Sequence, residues 1–325
     1  MFLGVDGGGT KTAFCLVTGS GELAARVEGA SSYFPGNLGL LAQVLRDGVR
    51  ETCRLAGITT EEVRQAFFGL PAYGEARAAV PLLDAVPRQA LGHERYSCDN
   101  DMVCGWAGSM ALADGINVVS GTGSISYGER AGRRARAGGW GELFGDEGSG
   151  YWIAVRGLSA FSRMSDGRQP PGPLLDRVRE HFAAVVDLDV VDVVLNQWGG
   201  DRGRVAALCP VVVGAAEAGD ACAAGIVQEA AVELVRLVEA ARWRLEFPVG
   251  ADVPVSYSGG VFRAPLAQEA FRRELAARRS GYRLVRPAYP PVVGAALYAA
   301  KRAGSALDAE ALQRLRRELP EPSGE

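Results

Sequence analysis

The sequence predicts an α/β protein of two lobes, and three observations support this prediction. Short apolar strands alternate with helical segments over residues 1–112 in the order βββαβαβα. A second pair of strands around a glycine-rich turn, residues 116–128, then repeats the beginning of the chain, which indicates an internal duplication. The length of 325 residues suits two domains of ordinary size. We therefore expect one lobe over residues 1–112 and a second over residues 113–325.

The first lobe is predicted to begin with three strands within residues 2–28, separated by glycine-rich turns. Residues 38–56 have the apolar periodicity of a helix. An apolar strand over 66–70 leads through a loop rich in proline and glycine to a helix expected over 75–85. A strand over 94–98 ends in Asp-Asn-Asp, and a further helix follows it.

The second lobe is predicted to begin with the hairpin 116–128, followed by a glycine-rich segment over residues 138–150. A strand over 253–261 is broken by two adjacent glycines. Further helices are expected over residues 150–165, 173–186, 220–246 and 265–279, and another after the adjacent prolines 290–291.

Charge and composition exclude several classes of protein. Thirty-five basic and 38 acidic side chains give a net charge of −3, which supplies no field for nucleic acid or an acidic membrane. No apolar run is long enough for a transmembrane helix, and the first residues do not resemble a secretory signal. The six cysteines contain no C-x-x-C pair, so soft ligands for zinc or an iron–sulfur cluster are not expected. We expect a cytoplasmic protein without nucleic-acid or membrane partners.

Three glycine clusters follow predicted strands. DGGGTKT, residues 6–12, differs from a P-loop because Thr10 precedes Lys11 and a strand follows. SGTGS, residues 120–124, lies between two strands and lacks the G-x-G-x-x-G pattern of a Rossmann turn. SGG, residues 258–260, follows a third strand. Such turns can direct backbone N–H groups at one anion, although tight hairpins without a ligand are the alternative.

In this order the three clusters resemble the phosphate-1, phosphate-2 and adenosine motifs of the actin-like ATPase and sugar-kinase superfamily. Within it, the chain is similar to the N-acetylglucosamine kinase branch of the BadF/BadG/BcrA/BcrD ATPase family. The segments that carry this similarity are GLPAYG (69–74), ND (100–101), GGWG (138–141) and GDEGSG (145–150). The resemblance implies two ribonuclease-H-like lobes with a cleft between them for ATP and Mg²⁺.

The resemblance also implies which residues bind the nucleotide. The phosphates would contact residues 7–12, called here the phosphate-1 turn, and residues 120–124, the phosphate-2 turn. The individual candidates are Gly8, Gly9, Thr10, Lys11, Thr12, Gly121, Thr122, Gly123 and Ser124. Gly259 and Gly260 would let the adenosine lie against backbone, and Asp6 would bind Mg²⁺.

Asp101 is the candidate catalytic base, which would orient and deprotonate a sugar hydroxyl. It lies where a strand passes into a helix, and a helix N-terminus keeps a carboxylate ionised at neutral pH. Phosphoryl transfer needs alignment and charge stabilisation more than a strong base. Two different interpretations stay open: Asp99 could be the base, or Asp99, Asn100 or Asp101 could simply cap the helix.

The glycine-rich segment 138–150, called here the sugar loop, is expected to contact the substrate. Trp140 could stack on the apolar face of a pyranose, Gly139 could offer backbone groups, and Asp146 could accept hydrogen bonds from hydroxyls. The family places an asparagine after the third strand for the sugar. Here Ser32 occupies that position, and Asn37 is the nearest asparagine that could replace it.

The activity implied by the resemblance is ATP-dependent phosphorylation of an amino sugar such as N-acetylglucosamine, at the 6-hydroxyl. Glucosamine and N-acetylmuramic acid are alternative acceptors. The resemblance is also compatible with a BadF-type ATPase, or with a sugar-sensing protein without kinase turnover. The family further suggests a homodimer.

Overall fold

The computed structural model describes residues 1–9, 11–32, 37–71, 73–278 and 281–319. These residues form two compact units. The first unit contains Met1–Asp114 and the segment that begins at Arg286, and the second contains Gly115–Val285. The sequence pattern places all of residues 113–325 in one lobe, whereas the structure returns the segment after Val285 to the first unit.

The first unit contains a five-stranded mixed sheet. Its strands are β1 Phe2–Asp6, β2 Lys11–Val17, β3 Leu23–Ala30, β4 Gln65–Gly69 and β5 Tyr96–Asp99. They lie in the order β3-β2-β1-β4-β5. The first three strands pair antiparallel as two consecutive hairpins, and β4 and β5 extend the sheet in parallel with β1. Glycine-rich turns between apolar strands account for the hairpins, whereas helical crossovers are needed for the parallel pairs.

The second unit repeats this sheet. Its strands are β6 Gly115–Ser120, β7 Ser124–Arg130, β8 Arg133–Gly138, β9 Val253–Ser258 and β10 Tyr282–Leu284. They lie in the order β10-β9-β6-β7-β8, again with two antiparallel pairs followed by two parallel pairs. The shared strand order is the internal repeat that the two glycine hairpins predict. The predicted α/β fold with two ribonuclease-H-like units is confirmed.

Twelve α-helices lie within the described residues. They are α1 Leu38–Leu55, α2 Val80–Leu91, α3 Met102–Met110, α4 Gly150–Ser165, α5 Pro173–Phe182, α6 Asp189–Val191, α7 Arg202–Ala206, α8 Cys209–Glu217, α9 Ala221–Arg244, α10 Pro265–Ala276, α11 Pro291–Arg302 and α12 Ala309–Glu318. The side chains of Asn37, Ser149 and Asp220 cap the N-termini of α1, α4 and α9. None of the helices in the described part of the chain is long and apolar enough to cross a membrane.

Several elements differ from the sequence predictions for local reasons. Helix α2 begins at Val80 instead of residue 75, because Gly74 has a positive φ of 83° and Pro81 lies at the start of the helix. Helix α5 ends at Phe182, since Ala183 adopts the left-handed conformation. Strand β8 was not predicted, because its sequence RRARAG lacks apolar alternation.

Helix α11 belongs to the first unit because two glycine contacts let it approach closely. A Cβ on Gly4 of β1 would lie 2.4 Å from the backbone nitrogen of Ala296 in α11. A Cβ on Gly294 in α11 would lie 2.1 Å from the backbone nitrogen of Gly108 in α3. Only glycine permits these backbone contacts, so α11 packs directly on both elements.

Candidate functional site

The carboxyl ends of β1, β4 and β5 bring the acidic candidates of the first unit together. Asp6 is aligned with Gly69 across the β1–β4 pair, and Gly69 is aligned with Asp99 across the β4–β5 pair. Asp101 follows at the start of α3, and a Cβ on Gly69 would lie 3.1 Å from its Cα atom. Ligands of open α/β sheets bind at this edge, beyond the carboxyl ends of parallel strands.

Asp6 and Asp101 interact electrostatically. Burial of the Asp6 carboxyl, followed by the negative charge of Asp101, raises the pKa of Asp6 to about 8. The thiol of Cys104 and the charge of Lys11 oppose this shift more weakly. Because each carboxylate disfavours the charge of the other, a cation bound beside them would stabilise both. No group of three or more His, Cys, Asp and Glu residues that could hold a metal is found among the residues described.

Asn100 makes the hydrogen bonds that fix the start of α3. Its Oδ1 accepts from the backbone N–H of Met102 at 3.2 Å, and its Nδ2 donates to the carbonyls of Pro71 and Tyr73, both at 3.1 Å. Asp101 occupies the N-cap position, but its side chain makes no capping hydrogen bond. The helix-capping interpretation of Asp101 therefore lacks the contact that defines a cap.

The phosphate-1 turn is fixed at its first two glycines. The N–H of Gly7 donates to the carbonyl of Gly69 at 2.8 Å, and the hydroxyl of Ser31 donates to the carbonyl of Gly8 at 3.0 Å. A Cβ on Gly9, by contrast, would meet no atom of the described residues within 4 Å apart from its chain neighbours, so this part of the turn borders open space among them. The candidate Thr10 lies outside the described residues.

Lys11 and Thr12, the other candidates of this turn, have different environments. The Lys11 ammonium donates to both carboxylate oxygens of Glu28, at 2.8 and 2.9 Å, and the Lys11 side chain is 61% exposed. Exposed ion pairs contribute only about 0–1 kcal/mol, so an anionic ligand could compete with Glu28. The side chain of Thr12 is fully buried, and its hydroxyl has no hydrogen-bond partner among the described residues. Phosphate contacts by both residues stay predictions.

The two candidates for the missing sugar-binding asparagine also differ. Asn37 is exposed, and its Oδ1 accepts from the N–H of Leu40 at 3.2 Å as the cap of α1. Ser32 is buried, and a Cβ on Gly7 would lie 2.4 Å from the Ser32 hydroxyl. Of the two, Asn37 has the more accessible side chain.

In the second unit, hydrogen bonds join the phosphate-2 turn to the sugar loop. The hydroxyl of Ser120 donates to the carbonyl of Gly148 at 2.8 Å, and that of Ser124 donates to the carbonyl of Glu147 at 2.7 Å. The N–H of Gly150 donates to the carbonyl of Gly121 at 2.8 Å. The two segments, predicted separately, therefore form one hydrogen-bonded structure.

The third glycine cluster lies against the same turn. Gly259 has a φ of 102°, and a Cβ on it would lie 2.3 Å from the carbonyl oxygen of Ser120. Gly121 and Gly260 border open space, since a Cβ on either would meet no atom within 4 Å. Thr122 is exposed at the tip of the turn. The structure thus brings the phosphate-2 and adenosine candidates of the second unit together.

Asp146 is almost fully buried beside the phosphate-2 turn, with only 2% of its side chain exposed. Its Oδ1 accepts from the N–H of Ser124 at 3.4 Å, and its Oδ2 accepts from Nη2 of Arg202. Burial raises the pKa of Asp146, and the charge of Arg202 opposes that shift. Sequence reasoning missed Arg202, because no motif distinguishes it from the other arginines of an arginine-rich chain.

The exposed part of the sugar loop carries Trp140, whose residue surface is 69% exposed. Gly138, Gly139 and Gly141 have φ values of 78°, 69° and 87°, a backbone conformation that favours glycine. Arg136 fixes the loop by donating from Nη2 to the carbonyl of Gly139. The indole of Trp140 is therefore accessible to a ligand, as its place among glycines in the sequence predicts.

The sequence is similar to those of known sugar kinases. Residues 3–299 match the model of the BadF/BadG/BcrA/BcrD ATPase family. An N-acetyl-D-glucosamine kinase of Dictyostelium discoideum is 26% identical over 92% of this chain and 97% of its own. An N-acetylmuramic acid/N-acetylglucosamine kinase of Clostridium acetobutylicum is 30% identical over 73% of this chain and 78% of its own.

The chain is also similar to a solved structure. A candidate N-acetylglucosamine kinase from Chromobacterium violaceum is 27% identical, with a TM-score of 0.72 over 91% of this chain and 97% of its own. The family match covers nearly the whole chain, including both glycine turns and the start of α3. The chain therefore belongs to the BadF/BadG/BcrA/BcrD ATPase family.

Proposed function

We propose that this protein transfers the γ-phosphoryl group of ATP to the 6-hydroxyl of an amino sugar. The two curated relatives are named as kinases of N-acetylglucosamine, and one of them also as a kinase of N-acetylmuramic acid. The single observation in the structure that most supports a kinase is the position of Asp101. Its carboxylate makes no helix cap and lies close enough to Asp6 to raise the pKa of that group.

In this mechanism Asp101 accepts the proton of the sugar hydroxyl as the hydroxyl attacks phosphorus. An ordinary aspartate suffices, because phosphoryl transfer depends mostly on alignment and charge stabilisation. Asn100 would orient Asp101, since it holds the start of α3 to the carbonyls of Pro71 and Tyr73. Asp99 stays the second candidate, although its Oδ1 already accepts from the N–H of Asn100 at 2.8 Å.

Each glycine turn would bind phosphate oxygens through its backbone N–H groups. Gly9 and Gly121 support this role, because both border open space where a side chain would otherwise stand. Lys11 would exchange its contact with Glu28 for a phosphate oxygen. Adenosine would lie against Gly260, which also borders open space.

Mg²⁺ is part of the proposal, and the residues of the first unit fit it. Asp6 and Asp101 supply two carboxylates that destabilise each other's charge, which contributes to the raised pKa of Asp6. Magnesium usually keeps several waters and takes only one or two protein carboxylates together with phosphate oxygens. Asp6 would hold the ion, whose chemistry is to neutralise charge on the phosphates.

The sugar would contact Trp140, Gly139 and Asp146 of the sugar loop, together with Asn37 and Asp101. The exposed indole of Trp140 suits the apolar face of a pyranose ring. The donor amide of Asn37 complements the acceptor carboxylate of Asp101, so hydroxyls of both orientations could be paired.

The test measures ADP release from MgATP with glucose, glucosamine, N-acetylglucosamine and N-acetylmuramic acid. We expect N-acetylglucosamine or N-acetylmuramic acid to stimulate ADP release most. The matched control is 6-deoxy-N-acetylglucosamine, which should compete with the substrate without stimulating release. If no sugar stimulates ADP release, the kinase proposal is wrong, and stimulation by the 6-deoxy sugar would contradict transfer to the 6-hydroxyl.

A further inference from the structure

The geometry points to Arg202 as a positioning residue that couples sugar binding to nucleotide binding. This inference rests on the proposed kinase function and assigns a task to a residue outside every motif. Arg202 is the first residue of α7, and its guanidinium lies between the phosphate-2 turn and the sugar loop.

The contacts of Arg202 reach three places at once. Its Nη2 donates to the buried carboxylate of Asp146, and its Nε lies 3.3 Å from Oε2 of Glu142, both in the sugar loop. A Cβ on Gly123 would lie 2.3 Å from the same Nη2 atom, so the guanidinium packs directly on the phosphate-2 turn. Any displacement of the turn therefore displaces the groups that hold Asp146.

The charges give Arg202 a second effect on the phosphate-2 turn. Asp146 is buried, and its Oδ1 accepts the backbone N–H of Ser124, a group that the proposal assigns to phosphate. An uncompensated carboxylate at this place would repel the phosphates and compete for that N–H. Arg202 neutralises it, so the turn can accept an anion.

Hydrogen bonds from two serine side chains make the coupling mechanical as well as electrostatic. Ser120 and Ser124 donate to carbonyls of the sugar loop at 2.8 and 2.7 Å, so the turn and the loop share one set of contacts. A sugar that orders the loop would order the turn for phosphates. By linkage, the nucleotide would raise sugar affinity by the same factor.

The experiment measures the Kd of ADP by calorimetry, with and without saturating N-acetylglucosamine, for the full chain and for three variants. Arg202→Ala removes the guanidinium, and Arg202→Lys keeps the charge but loses its planar fork. Arg204→Ala is the matched control, since Arg204 lies in the same helix and its side chain is exposed. We expect the sugar to tighten ADP binding about 5- to 50-fold in the wild type and in Arg204→Ala.

In Arg202→Ala the sugar should change the Kd of ADP by less than about twofold, and Arg202→Lys should keep only part of the coupling. If Arg202 had only a structural role, Arg202→Ala would lower the unfolding temperature. The coupling factor, which is the ratio of the Kd values of ADP without and with sugar, would then be unchanged. Asp146→Asn combined with Arg202→Ala controls for instability, because it removes the buried charge together with its partner. If Arg202 acts through Asp146, sugar should tighten ADP binding in the double variant at least as much as it does in Arg202→Ala.

Two results would overturn the inference in distinguishable ways. A wild type that phosphorylates sugar, with the same coupling factor in Arg202→Ala, excludes Arg202 as the coupling residue and leaves the kinase proposal intact. If the wild type phosphorylates sugar but sugar does not change its Kd for ADP, the coupling inference is also wrong and the kinase proposal stays intact. Absence of sugar-stimulated turnover in the wild type refutes the kinase proposal, and the inference with it.

Discussion

The two units have sheets of the same strand order, each with a glycine turn after its first strand, but the charges around the two turns differ. In the first unit the turn after β1 stands beside Asp6 and Asp101, and the pKa of Asp6 is raised because burial and a neighbouring carboxylate disfavour its charge. In the second unit the turn after β6 also stands beside a buried carboxylate, that of Asp146. There Arg202 supplies a positive charge that opposes the shift.

This difference shows how two copies of a duplicated fold can come to suit different ligands. The first unit holds two carboxyl groups that disfavour each other's charge, which suits a cation. The second has its acid neutralised within the fold, which suits an anion on the backbone N–H groups of the turn. Side chains at a few positions, and not the sheet, therefore decide what each turn can bind.

The largest expected effect is on turnover, from Asp101→Asn in the first unit. Loss of the proton acceptor should lower kcat by about 10²- to 10⁴-fold, with little change in sugar affinity. The measurement is steady-state ADP release, combined with sugar binding by calorimetry. Asp99→Asn is the matched control two residues away and should keep most of the turnover. The reverse pattern would assign the base to Asp99.

A smaller effect is expected from Gly259→Ala in the second unit. The new Cβ would meet the Ser120 carbonyl at 2.3 Å, and a φ of 102° disfavours alanine. We expect a loss of about 1–3 kcal/mol in the free energy of unfolding and a weaker affinity for ATP. Denaturant unfolding and ADP calorimetry measure these quantities.

The control is Gly260→Ala, because a Cβ there has no atom within 4 Å. It should leave the free energy of unfolding unchanged while weakening ADP binding if adenosine lies against this backbone. Equal stability of the two variants would contradict the close contact between Gly259 and the phosphate-2 turn.

The last expected effect is on the pH dependence of stability, and it comes from Asp6. Its carboxyl has a pKa of about 8 in the folded protein, whereas the ordinary value is 3.8. At a pH between these two values the folded state therefore binds more protons than the unfolded state. Stability contributed by the protonated group is therefore lost as the pH rises from about 4 to about 8. Asp6→Asn should remove this loss and raise the unfolding temperature at pH 8.5 relative to the wild type.

Thermal unfolding in EDTA from pH 5 to pH 8.5 measures this contribution. Added Mg²⁺ and ADP should stabilise the wild type more at pH 8.5 than at pH 6, because the ion competes with the proton for Asp6. Parallel pH profiles of the wild type and Asp6→Asn would show that the pKa of Asp6 is close to its ordinary value.

Much of the fold follows from local sequence patterns. The hairpins around the two glycine turns were predictable because alternating apolar residues flank residues that permit tight turns. Strand β8 was not predictable, because its arginine-rich sequence lacks apolar alternation. The sequence also predicts a helix after two adjacent prolines, but not that this helix, α11, packs in the first unit. That depends on contacts of Gly4 and Gly294 with distant backbone.

The candidate site was predictable to a similar degree. The family resemblance singled out the turns, Asp6, Asp101 and the sugar loop as candidates, because the residues that carry it lie in these segments. Arg202 was unpredictable, since its importance comes from a contact with Asp146 across 56 positions of the chain. The ion pair of Lys11 with Glu28 was missed for the same reason.

The return of α11 to the first unit has a consequence for biosynthesis. The second unit is an uninterrupted stretch of chain, Gly115–Val285, whereas the first needs the segment that follows it. During synthesis on the ribosome β1 emerges early, but α11, the helix that covers Gly4, is synthesised much later. The inserted unit is therefore expected to fold first, and a chain truncated before Pro291 should leave the apolar surface of β1 exposed to chaperones and proteases.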